Sequence, residues 1–163
     1  MTFVPAQHWS KRGLFDARRT LWGGHLLESP AGRVYFAGDT GYPAWFGEIG
    51  RRLGPPDLAL LPIGAYEPRW FMGPQHMNPD DAVRAHLDLG ATISVAMHFG
   101  TFHLTDEAID APLAALAVAR RRHGVADHRF VVPGFGQTLA WRRDGQGDRA
   151  GGIIGASHFP QNR

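Results

Sequence analysis

Three side chains of metal-ligating type occupy three separate turn-like settings. They are His8 in Pro5-Ala6-Gln7-His8-Trp9, Asp39 in Phe36-Ala37-Gly38-Asp39-Thr40-Gly41-Tyr42, and His98 in Ala96-Met97-His98-Phe99-Gly100-Thr101-Phe102. Imidazole and carboxylate donors suit zinc and, with more oxygen ligands, iron or manganese. Apolar runs precede at least two of them, so the donors would stand at strand ends, where a sheet-based hydrolase presents a metal. Each also has a plainer reading. His8 could cap a neighbouring turn, Asp39 could satisfy the N–H groups of its own turn, and His98 could be hydrogen-bonded at a strand end. Residue type alone leaves both readings open.

A fourth imidazole, His76 in Gly73-Pro74-Gln75-His76-Met77-Asn78, directly precedes a helix start. The positive end of a helix dipole would depress its pKa and favour the neutral ring. The alternative is a structural histidine that ties the loop to the helix. Gln75 beside it offers hydrogen bonds to a substrate. The stretch Tyr66-Glu67-Pro68-Arg69-Trp70-Phe71-Met72 puts three aromatics and a methionine in an expected loop, where apolar exposure is uncommon. A lipid-facing rim would use them, with Arg69 on a phosphate. Otherwise Trp70 and Phe71 fold inward and Arg69 pairs with Glu67 or Asp80. The remaining histidines, His25, His86, His103, His123, His128 and His158, read as structural or solvated.

The elements that must position these groups alternate. Strands are expected at residues 2–5, 20–28 and 33–37, the last two joined by a Ser29-Pro30-Ala31-Gly32 hairpin turn. Phe46, Ile49 and Leu53 recur at helical spacing across residues 44–53, and Gly54-Pro55-Pro56 ends that helix. Residues 57–63 form an apolar run of the buried-strand kind, and residues 64–77 a long loop. Asn78-Pro79-Asp80-Asp81 starts a helix: a capping amide, a proline suited to the first turn, and two acids at the positive dipole end. Gly90 ends it. A strand over 92–97 leads to His98, and a third helix runs from Thr105 to about His123. Short strands follow at 130–133 and 137–141. From residue 142 to 163 Gly, Arg, Asp, Gln and Asn dominate, which reads as a disordered polar tail. Alternating strands and helices imply an α/β layered fold.

Composition narrows the classes. The 163 residues are 44% hydrophobic, enough for one domain with a core. The net charge of +2 and the absence of any basic run longer than Arg120-Arg121-Arg122 argue against nucleic acid as a partner. With no cysteine there are no disulfides and no thiolate ligands. No apolar run reaches the roughly 18 residues of a membrane span, and the N-terminus carries no signal-peptide pattern. The expected location is cytoplasmic, with peripheral membrane contact through the aromatic loop.

The words around the candidate residues are specific. Pro5 to Trp9, Phe36 to Tyr42, Leu60-Leu61-Pro62-Ile63-Gly64-Ala65 running into Tyr66 to Met72, Gln75-His76-Met77-Asn78-Pro79, and Met97 to Phe102 occur in one order. Together they resemble the C-terminal half of the metallo-β-lactamase superfamily, in the branch of N-acyl-phosphatidylethanolamine-hydrolysing phospholipases D. The resemblance covers roughly residues 1–141, read as one half-domain. It implies half of an αββα sandwich, a mixed sheet with helices on one face, built around two zinc ions. It implies metal-ligand roles for His8, Asp39 and His98, with Asp39 bridging. It also implies that Asp39 and His76 serve catalysis. Gln75, Tyr66, Arg69, Trp70 and Phe71, taken from the residue types above, are the candidate substrate-lining residues.

The family's other ligands come from a His-x-His-x-Asp-His motif, which this chain lacks. The expectation is therefore a partial zinc set. The expected partners are a phospholipid substrate and either a second copy of the chain or a complementing N-terminal half. Two alternatives stay open: a metallo-hydrolase acting on a lactone or another phosphoester, and a non-catalytic half-domain.

Overall fold

The computed structural model describes residues 1–142 and 152–158. Six strands form one sheet in sequence order: β1 (Thr2–Pro5), β2 (Gly23–Ser29), β3 (Gly32–Phe36), β4 (Leu58–Pro62), β5 (Ile93–Met97) and β6 (Phe130–Val131). The first three pair antiparallel, and β2 and β3 form a hairpin whose turn closes at Ser29 and Gly32. From β3 to β6 all pairs are parallel, as crossover helices require. The sheet is thus mixed. Its helices are α1 (Phe46–Leu53), α2 (Arg69–Met72), α3 (Pro79–Leu89) and α4 (Ala111–His123).

Side-chain alternation along the register divides the sheet into two faces. One face carries Val4, Leu26, Tyr35, Ala59, Leu61, Ala96 and Phe130. These share a buried cluster with Phe46 and Ile49 of α1, Val83 and Leu89 of α3, and Leu116 and Ala119 of α4. The three long helices therefore cover one face only. α3 is also tied there by a polar contact, His86 Nδ1 with Ser94 Oγ at 2.8 Å. The opposite face holds Phe3, Leu27 and Phe36, which remain exposed.

The helix ends follow local chemistry. Asn78 caps α3 by accepting from the Asp81 N–H at 2.8 Å, and the Asp81 carboxylate accepts in return from the Asn78 N–H. Gly90 ends the helix in the left-handed conformation. Three expectations need correction. The long loop over 64–77 contains α2, a single turn closed by the Phe71 and Met72 N–H groups on the Pro68 carbonyl. The third helix begins at Ala111, not Thr105. Its expected first turn is held elsewhere, because the Glu107 carboxylate accepts from the N–H groups of Ala65, Tyr66 and Glu67 at 2.7–3.2 Å.

The third correction concerns the polar tail. Arg142 ends β7 (Gln137–Arg142), and Gly152–His158 form β8, antiparallel to it. Ile153 and Ile154 are β-formers inside a composition that reads as tail only on average. The rest of that stretch lies outside the described residues. Trp141 of β7 sits where a Cβ on Gly32 would point, on the side of the sheet shared with Val34 and Phe36.

Candidate active site

β1, β3, β4 and β5 run in one direction, so their C-terminal ends share one edge of the sheet. His8 follows β1, Asp39 follows β3, the Gly64-Ala65 turn follows β4, and His98 follows β5. His76 arrives at the same edge immediately before α3. Chain order thus scatters these residues, and strand direction gathers four of them.

The geometry is a chain of contacts. His98 Nε2 lies 3.5 Å from Asp39 Oδ1. His76 stands between the two other imidazoles, its ring 5.4 Å from that of His98 and 5.1 Å from that of His8. The Nε2 atoms of His8 and His76 are 3.4 Å apart. His8 Nδ1 is 2.9 Å from the Trp9 carbonyl, which can only accept. His8 therefore carries its proton on Nδ1 and turns a bare Nε2 into the site. The proton between the two imidazoles then belongs to His76 Nε2, which donates to His8. That leaves His76 Nδ1 as a buried acceptor with no partner among the described residues.

His76 is pushed down to about 4. Burial is the main cause, and the neighbouring His8 and His98 rings act the same way, against the opposing pull of Asp39 and Glu107. The direction is the one expected from sequence. The largest cause is burial, with the neighbouring imidazoles adding to it.

Backbone contacts fix the edge. His98 sits at φ 58, in the left-handed region that side chains seldom adopt. A Cβ on Gly64 would come within 2.3 Å of the His98 carbonyl oxygen, so the two turns close on each other only because residue 64 is glycine. Burial alone would raise the Glu107 carboxyl. Hydrogen bonds from the Thr105 side chain and from the backbone of Glu67, Glu107 and Tyr66 outweigh it and hold the group below its usual range. Glu107 thereby pins the turn after β4 beside the site.

The expected substrate-lining residues divide. Gln75 accepts a hydrogen bond from the Trp9 indole N–H. Tyr66 is buried, and burial raises its phenol pKa. The Arg69 guanidinium is already engaged, donating to the His76 carbonyl at 2.9 Å and to the Asp81 carboxylate at 2.7 Å. Its partner is thus neither of the two carboxylates considered from sequence, although the Arg69 N–H does donate to Glu67 at 2.9 Å. Trp70 is 82% exposed and Phe71 55%, so neither joins the core. Sequence reasoning passed over Gln7, Thr40 and Glu107. Only their place inside or near the quoted words marked them.

The donor types at this edge fit a metal ion, but the grouping does not. Among the described residues no set of three or more His, Asp or Glu side chains is placed to hold one. Asp39 reaches His98, whereas His8 joins them only through His76. Chemically the cluster offers a neutral buried imidazole, a second imidazole with a bare nitrogen, and an exposed carboxylate.

Residues 1–99 match the sequence pattern of the Beta-lactamase superfamily domain. The chain is 43% identical over 137 residues to the N-acyl-phosphatidylethanolamine-hydrolyzing phospholipase D 1 of Caenorhabditis elegans, covering 82% of this chain and 38% of that protein. It is 39% identical over 138 residues to the mitochondrial N-acyl-phosphatidylethanolamine-hydrolyzing phospholipase D of Saccharomyces cerevisiae, covering 83% of this chain and 29% of that one. The chain therefore spans well under half the length of these relatives. Its fold is similar to that of Igni18, a metallo hydrolase of Ignicoccus hospitalis, with a TM-score of 0.56 and 28% identity over 81% of this chain and 49% of that one.

Proposed function

Because the chain belongs to the metallo-β-lactamase superfamily, a family of metal-dependent hydrolases, we propose that it carries the second half of a zinc-dependent site for phospholipase D-type hydrolysis of N-acyl-phosphatidylethanolamine. The observation that supports this reading best is the meeting of His8, Asp39, His76 and His98 at one sheet edge within a chain 43% identical to such a phospholipase. In this reaction water adds to the phosphodiester phosphorus and the bond to the ethanolamine oxygen breaks. The products are an N-acylethanolamine and a phosphatidic acid.

The residues act as follows. The neutral His76 ring holds its Nε2 proton for a phosphoryl oxygen as negative charge builds there. His8, Asp39 and His98 would supply ligand positions for the zinc ions. The exposed Trp70 and Phe71 form the rim toward the acyl chains, and that rim is the proposed contact with a membrane surface from the cytoplasmic side. Arg69 acts indirectly, by bracing the His76 carbonyl against Asp81. The donors missing from a zinc site are assigned to a complementing segment bearing His-x-His-x-Asp-His. That segment would cover the open sheet face.

The lack of a three-donor group among the described residues favours a second reading, a non-catalytic half-domain that stays inactive even with a complementing half. One experiment separates the two. The chain is mixed with the preceding half of the C. elegans relative, zinc uptake is followed by calorimetry, and lipid products are followed by mass spectrometry. The proposal expects zinc binding and release of N-acylethanolamine from the mixture. It also expects Asp39→Ala to lower the rate by about 100-fold or more with folding intact. Unchanged turnover in that variant would sink the assignment, and a mixture that binds no zinc would favour the inactive half-domain.

A further inference from the structure

His8, Asp39 and His76 reach the site on three separate loops, and one residue, Gln7 of the His8 loop, bonds to the other two, to one through its backbone and to the other through its side chain. The Gln7 N–H donates to Thr40 Oγ1 at 2.9 Å, and the Gly41 N–H donates to the Gln7 carbonyl at 2.9 Å. These two bonds lock the loop before His8 to the loop after Asp39. The Gln7 side-chain amide then donates to the Pro74 carbonyl at 2.7 Å, across a separation of 67 residues. That third bond reaches the loop carrying His76. Thr40 closes the set, since its carbonyl accepts from the Met77 N–H at 3.0 Å.

The space around this junction is as narrow as its bonds. A Cβ on Gly41 would meet Gln7 Nε2 and the Pro74 carbonyl oxygen at 2.8 Å each, and the Gly73 carbonyl oxygen at 3.0 Å. Residue 41 is thus glycine because two backbone carbonyls and one side-chain amide converge on it.

We infer that Gln7 is a positioning residue, the strut that sets the distance between His8 and His76 by tying the His8 and Asp39 loops to Pro74. It acts through the imidazoles and touches no reacting atom. Its importance for hydrolysis rests on the proposed function above, but the contact geometry does not. The two ideas therefore fail separately.

The test replaces the amide without changing its size, in the full chain. Gln7→Met removes the donor, and Gln7→Glu turns an acceptor toward the Pro74 carbonyl. Nuclear Overhauser contacts between the His8 and His76 rings report the site, and those between His86 and Phe130, whose rings lie 5.9 Å apart on the helix-covered face, serve as the internal reference. The expected result is a selective loss in both variants, about threefold in the His8–His76 contact for an extra ångström of separation, with the reference unchanged. Equal retention of both contacts overturns the inference. Equal loss of both, together with a lower unfolding midpoint, overturns it too, because Gln7 would then serve folding at large rather than the site.

Discussion

The two faces of the six-stranded sheet differ more than any other two regions of the molecule. On one face Tyr35, Ala59 and Leu61 are fully buried beneath α1, α3 and α4. On the other, Phe3 is 49% exposed, Leu27 44% and Phe36 41%. Both faces are apolar, yet only one has a helical layer. An antiparallel sheet with one wet face normally alternates apolar with polar residues. These strands do not, so their sequence is that of a sheet with a layer on each side. The contrast agrees with a chain that spans 38% of its C. elegans relative and with an αββα fold, in which two sheets pack against each other.

The contrast can be broken or sharpened by experiment. Truncation beneath the helices should cost most. Leu61→Ala is expected to destabilise by about 3–5 kcal/mol, because the cavity it leaves is walled by sheet and helices. Urea unfolding measures this, and a cost under about 1 kcal/mol would break the picture of a single covered core.

Acid should act on the same face. Burial holds His86 down to about 4, so the folded chain keeps it neutral while an unfolded chain protonates it near 6.5. Its contribution is complete above pH 6.5 and is lost as pH falls from there toward 4. Across that window the loss reaches at most about 3 kcal/mol. His86→Leu should flatten this part of the stability profile, and an unchanged slope would remove His86 from the account.

The open face should respond least in stability and most in association. Leu27→Thr with Phe36→Thr is expected to shift the unfolding free energy by only about 0.5 kcal/mol. The same pair should reduce self-association in sedimentation, since an uncovered apolar patch drives it. A large loss of stability would mean that this face is already packed in solution.

How much of this was legible beforehand depends on whether the cause was local. The α3 start was readable because Asn78, Pro79 and Asp81 carry their own capping chemistry. The buried strands β4 and β5 were readable as apolar runs. The α4 start was not, because Glu107 is bound to backbone some 40 residues away, and no local signal announces that. β8 was hidden by averaging two isoleucines into a polar stretch. At the site, the candidate residues were named from their neighbouring words, but the partner of Arg69, the place of His76 between two imidazoles and the strut at Gln7 were not.

The sequence by itself determined the family, the α/β class and the identity of the chemistry-bearing residues, because words such as Phe-Ala-Gly-Asp-Thr-Gly-Tyr are local and survive reading in one dimension. Tertiary structure alone decided that His76 stands between His8 and the Asp39–His98 pair, and that Phe3, Leu27 and Phe36 of β1–β3 stay exposed on the face away from the helices. Both depend on strand direction and register, which bring together residues that lie as far apart in the chain as His8 and His98. Contacts at that range are set by the packing of the whole sheet, not by the residues beside them.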